Sequence, residues 1–241
     1  MVYEIRQNKY GIFFETFVFT ILILIIGFSL GYMVESYRTN QIIDDYKDHE
    51  IESLDLKLQN YYYQIMDRSS CEKAIKKNFE FADDLYITGL ELEKYEQANQ
   101  ITDDIFREKK RYVLLKTELW LNSILLKEKC DKPFDTIVYF YSGDPTNNIK
   151  VAEQKVISNV LKTVKENNGN SVILLPIAGD LKKSADDESL TLGIVDLQMQ
   201  IYDINSFPSI LINEDIVLEG FHSVEEIERY LNQSSSSRNY E

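Results

Sequence analysis

Phe207-Pro208-Ser209-Ile210-Leu211-Ile212-Asn213-Glu214-Asp215-Ile216-Val217-Leu218-Glu219 decides how the second half of this chain folds. Two short aliphatic, β-branched runs flank three polar residues, which is the pattern of a β-hairpin. Gly220 follows the second run, and Ser223 begins a capping box with Glu226 for a final helix carrying Ile227 and Leu231.

Upstream, Thr136-Ile137-Val138-Tyr139-Phe140-Tyr141 reads as a buried strand and Ser142-Gly143-Asp144-Pro145 as a turn. A helix of roughly 20 residues follows, with Val151, Val156, Val160 and Val164 expected to face inward until Asn167-Asn168-Gly169 ends it. Val172 to Leu175 reads as a second buried strand, parallel to the first through a right-handed crossover. A second helix, about Asp187 to Tyr202, aligns Leu190, Ile194, Leu197 and Ile201. The expected fold class is therefore α/β, of order β-α-β-α-β-β-α over residues 132–232, with a disordered tail over 233–241.

This order resembles the thioredoxin-like superfamily, and local features match it. The Tyr139-Phe140-Tyr141-Ser142 strand end leads into the helix that carries the family's active site. Tyr202-Asp203-Ile204-Asn205-Ser206-Phe207-Pro208-Ser209 is similar to the family's segment ending in a cis-proline, with Pro208 as that residue. The resemblance covers about residues 134–232. It implies a Cys-x-x-Cys pair at the first helix, where exposed amides and the helix dipole lower a thiol's pKa. Here Asp144-Pro145-Thr146-Asn147 puts Asp144 and Asn147 on the two cysteine positions, so dithiol exchange at that place is lost. The resemblance further implies a groove for an extended peptide, formed by Gly143, Asp144, Pro145, Phe207 and Pro208. Pro208 as a simple turn residue and Phe207 as core is the equal alternative.

Toward the amino terminus, no charge interrupts Thr16 to Val34. At ~1.5 Å per residue a helix over this stretch nearly crosses a ~30 Å hydrocarbon core. A cleaved signal peptide is the rival, but Gly31-Tyr32-Met33 offers a peptidase little, so residues 16–34 read as an uncleaved signal anchor in the lipid bilayer. Arg6 and Lys9 precede it, and Arg38 and Lys47 follow it. That count barely favours residues 1–15 as a short cytoplasmic segment and the remainder as exported, in the cell membrane. Gly27 and Gly31 form a small-xxx-small pair through which a homodimer can pack.

Residues 35–131 contain no proline and only Gly89, and are densely charged, as expected of a stalk of long helices. Ile51, Leu54, Leu58, Tyr61 and Ile65 repeat at 3-4-3-4 spacing, the seam of a short coiled coil or of a face packed on later helices. Ser69 or Ser70 caps a second helix carrying Ile75, Phe79, Ala82, Tyr86 and Leu90. After a polar break at Asn99 to Thr102, a third carries Ile105, Tyr112, Leu115, Leu119 and Leu126. Cys71 opens the second helix and Cys130 closes the third, so an antiparallel hairpin brings them to the same end, where a disulfide can form. Two separate buried thiols are the alternative. A disulfide would belong to an oxidising compartment, which supports export.

The formal net charge of −14 disfavours a nucleic-acid partner. His49 and His222 have no nearby cysteine or histidine with zinc-ligand spacing, and the acidic clusters lack EF-hand spacing, so no metal site is expected. No phosphate-binding loop, dinucleotide fingerprint or nucleophile elbow occurs, and no cofactor is expected. Asn232-Gln233-Ser234 is an N-glycosylation sequon. Three functions stay open on the sequence. The first is a non-catalytic, membrane-anchored thioredoxin-like protein binding a peptide or envelope protein. The second is a thiol-disulfide oxidoreductase or isomerase using Cys71 or Cys130, and the third a structural, self-associating membrane protein.

Overall fold

The computed structural model describes residues 9–97, 103–130, 134–144, 148–182 and 188–237. The chain divides into two compact units, Met1–Glu50 and Ile51–Glu241. In the first, helix α1 (Lys9–Ile65) begins, and its stretch Phe13–Val34 is long and apolar enough to cross a membrane. None of that stretch is buried.

The second unit is an α/β body. After the end of α1 and a turn at Arg68–Ser70 come α2 (Cys71–Gln97), α3 (Asp103–Lys129), β1 (Asp135–Gly143), α4 (Asn148–Asn168) and β2 (Val172–Leu181). Then follow α5 (Gly193–Ile201), β3 (Ser209–Ile212), β4 (Ile216–Glu219) and α6 (Val224–Ser237). The strands form one mixed sheet in the order β2-β1-β3-β4, with β1 and β2 parallel and the other pairs antiparallel. Strand alternation sends Val138, Phe140, Ile173, Leu175, Ile177 and Leu211 to one face. It sends Ile137, Tyr139, Val172, Ile210 and Ile212 to the other, under α4 and α6. Both faces are covered, which is why β1 is a nearly unbroken apolar run.

From Ile51 onward, the region expected as a stalk is part of this body. Leu56 and Tyr63 of α1, Phe79 and Leu85 of α2, and Leu115, Leu119, Trp120 and Leu126 of α3 share one core with Phe140, Ile173 and Leu211 of the sheet. Helical spacing alone cannot distinguish a free hairpin from one that closes a sheet face, because both need one apolar stripe. Trp120 packs edge-on against Phe140, with ring centroids 5.9 Å apart. Its Nε1 donates to Glu214 Oε1 at 2.8 Å. Lys127 Nζ reaches Glu214 Oε2 at 2.7 Å, Asn213 Oδ1 at 2.9 Å and Thr136 Oγ1 at 3.0 Å. Asn213, Glu214 and Asp215 connect β3 to β4; Asn213 and Glu214 are both at positive φ (51° and 60°), and the Asp215 N–H closes the turn on the Ile212 carbonyl at 3.1 Å. The turn residues thus bolt α3 to the sheet.

Cys71 and Cys130 are joined in a disulfide, with Cα atoms 5.7 Å apart, at the end where α2 starts and α3 stops. Asn60 Nδ2 donates to Asn122 Oδ1, and Lys129 donates to the Gln64 carbonyl, tying the end of α1 to α3. Burial in this helical layer pushes the Tyr63 phenol up to about 12.

Several expectations are corrected. The α1 residues that pack are Leu56 and Tyr63, with Met66 just after the helix, whereas Leu54, Leu58, Tyr61 and Ile65 point away from the core; the Ile51 side chain lies outside the described part. Tyr86 and Leu90 of α2 are likewise exposed. β1 runs on through Ser142 and Gly143, which pair with Asp180 and Leu181 instead of turning. β2 continues past Pro176 to Leu181; as an edge strand it tolerates a residue without an N–H. α4 buries Gln154, Ile157, Leu161 and Val164, leaving Val151 and Val156 exposed, because Ile157 and Leu161 offer more apolar surface and Gln154 is drawn in by the backbone of Ser142. α5 starts only at Gly193, since Leu190 is held in an antiparallel bridge to Leu181; Leu197 and Ile201 are exposed, and Val195 and Gln198 are buried. α6 extends through Ser237, five residues into the expected tail. The polar break at Asn99 to Thr102 falls outside the described residues. The capping box forms as expected, Ser223 and Glu226 exchanging hydrogen bonds of 3.1 and 3.3 Å.

Candidate functional site

Of the residues singled out from the sequence, Gly143, Asp144, Phe207 and Pro208 lie at the carboxyl end of β1, where the β1–β3 pairing stops at Phe140 and Ser209. Gly143 and Asp144 are half-buried there, while Pro145 and Asn147 lie outside the described residues. The peptide bond between Phe207 and Pro208 is cis. Pro208 itself is buried, and its carbonyl accepts from the Gly220 N–H at 3.0 Å. Among the described residues no strand pairs with the backbone of Phe207, so β1, Phe207 and Gly220 frame one open sheet end.

Side chains at this end are held firmly. Asp180 accepts from Ser142 Oγ at 2.9 Å and from the Gly143 N–H at 2.6 Å. Gln154 reaches up from α4, its Oε1 taking the Ser142 N–H at 2.7 Å and its Nε2 donating to the Ser142 carbonyl at 3.0 Å. A buried glutamine thus stands in for a neighbouring strand. Lys182 lies 3.9 Å from the Asp144 carboxylate. A Cβ on Gly143 would sit 2.5 Å from the Asp180 carbonyl oxygen, so only glycine fits that backbone approach.

The Phe207 ring serves packing. It covers Gly179, beside the register shift where β2 bulges against Tyr141 and Ser142, and Met199 closes the same spot. A Cβ on Gly179 would overlap the edge of the Phe207 ring. We expect Gly179→Ala to force that ring aside and to destabilise by about 1–3 kcal/mol, as overpacking does. Urea denaturation checks this, and an unchanged midpoint contradicts it.

The open end also carries a residue the sequence reading passed over. Phe221 directly follows Gly220 and is exposed. Ile149, in the first turn of α4 at the same end of the sheet, is exposed as well. A single aromatic after a glycine has no periodicity to flag it; only the pairing of Gly220 with Pro208 places it here. What this end offers is backbone hydrogen-bonding capacity beside exposed apolar side chains. No thiol occupies it among the described residues, since both cysteines are in the disulfide at the helical layer. No protein-family model matches this chain, and neither a curated protein nor a solved structure matches it.

Proposed function

We propose that this is a membrane-anchored, non-catalytic thioredoxin-like protein whose α/β body lies outside the cytoplasm and holds an extended segment of a peptide or envelope protein at the Phe207–Gly220 edge. The observation that carries the reading is the open sheet end: backbone at Phe207 that pairs with no strand among the described residues, next to exposed Phe221 and Ile149. An incoming strand would gain main-chain hydrogen bonds there and a place for an apolar side chain. The strand order β2-β1-β3-β4 supports the thioredoxin-like reading, as does the position of Pro208 just before β3. The apolar stretch Phe13–Val34 and the Cys71–Cys130 disulfide support anchoring and export. Cys130 is buried, which disfavours Cys71 and Cys130 as an exchanging pair, because exchange needs an accessible sulfur.

The test is photocrosslinking in cells, with a benzophenone amino acid replacing Phe221 in the full chain. Discrete adducts are expected, absent when the probe instead replaces exposed Asn159 on α4. No adduct at position 221, or the same adducts at both positions, refutes the binding edge.

A further inference from the structure

One face of the body is apolar without being covered. On α1, Leu54, Leu58, Tyr61 and Ile65 are 59%, 59%, 66% and 80% exposed, while the opposite side of the same helix packs into the core through Leu56 and Tyr63. A helix with one stripe already buried gains nothing for its own fold from a second stripe facing water. The exposed stripe has the 4-3-4 spacing of a seam between two helices, a pattern that fits a copy of itself. Tyr61 continues it into a groove of about 380 Å³ whose apolar walls are Leu114, Leu121 and Ile194. Leu114 and Leu121 are themselves exposed.

We infer that this face is the interface with a second copy of the same chain, the two α1 seams packing along a two-fold axis. Area supports it. Taking ~200 Å² for each fully exposed side chain of this size, the four seam residues with Leu114 and Leu121 present roughly 700 Å² per copy. Two copies would bury roughly 1,400 Å², within the ~1,200–2,000 Å² of a stable specific interface. The groove rim carries both charge signs (Lys57, Arg111 and Glu118), which a two-fold related copy complements. An anionic lipid surface fits poorly, because the chain carries a formal charge of −14. The same charge makes two copies repel at long range, so association tightens as salt is raised. Parallel packing, with Leu58 opposite its counterpart, rests on the anchoring proposed above; association itself does not. If both chains are anchored, confinement to one membrane raises their effective concentration.

The full chain in detergent, measured by light scattering, is expected to have the mass of two copies. Leu58→Asp with Tyr61→Asp should reduce the dimer at least tenfold with an unchanged circular dichroism spectrum, since both residues are exposed. Gly27→Leu with Gly31→Leu should leave the dimer intact. In membranes, Leu58→Cys introduces a thiol while the native cysteines stay paired. A bis-maleimide should join two chains through it at least tenfold more efficiently than through Lys162→Cys on the other sheet face. A monomeric wild-type chain overturns the inference. So does a dimer that survives the two aspartates, one lost only through the glycines, or crosslinking of Leu58→Cys to a different protein.

Discussion

Lys127→Met is expected to destabilise the α/β body by about 3 kcal/mol, the low end of the range for breaking a buried ion pair by removing one partner. The substitution keeps the length of the side chain and removes only its ammonium group. Glu214 then keeps its hydrogen bonds from Trp120 and Thr136 but loses its cation, and its carboxylate is only 16% exposed. Asn213 and Thr136 lose a donor as well. The loss should appear as a fall in the urea midpoint without a change in slope. Glu214→Gly separates two contributions at the same turn. It relieves the positive φ of 60°, which favours glycine, yet should still destabilise because the network loses its acceptor. If Glu214→Gly stabilises, or if Lys127→Met costs less than 1 kcal/mol, the turn does not hold the helical layer to the sheet.

Loss of the disulfide is expected to be the larger effect. Cys71 and Cys130 are 59 residues apart, and closing a loop of that length stabilises by about 4 kcal/mol in the chain-entropy model. Double replacement by alanine should lower the melting temperature of the whole body in one transition, because α2 and α3 contribute side chains to the same core as the sheet. A separate, earlier transition confined to helix signal would mean that the hairpin melts by itself. An unchanged melting temperature would mean that the bridge adds nothing.

The element order of the sheet half was legible because each strand there is a compact apolar run bounded by turn residues. Thr136 to Tyr141, Ile210 to Ile212 and Ile216 to Leu218 have that form. Pro176 concealed the second half of β2, since a proline reads as a stop unless the strand is known to lie at an edge. The inward face of α4 was misplaced because Val156 and Ile157 are adjacent apolar residues, and spacing alone does not choose between them. Most consequential was the role of α2 and α3. The contacts that make them part of the body join Trp120 and Lys127 to Glu214, 94 and 87 residues away. Single-sequence patterns extend over a few helical turns and do not register such pairs. At the candidate site Phe207, Pro208, Gly143 and Asp144 were named from the sequence. Asp180, Gln154 and Phe221, which fix and border that edge, emerge only from strand register.

The central claim is an exported, disulfide-closed α/β body on a membrane anchor. Labelling of intact cells with a maleimide that cannot cross membranes, with and without prior reduction, tests it most directly. The account predicts labelling of Cys71, the more accessible of the two, only after reduction and without opening the cells. Labelling that needs the cells opened but needs no reductant would put free thiols in the cytoplasm and contradict both the disulfide and the export.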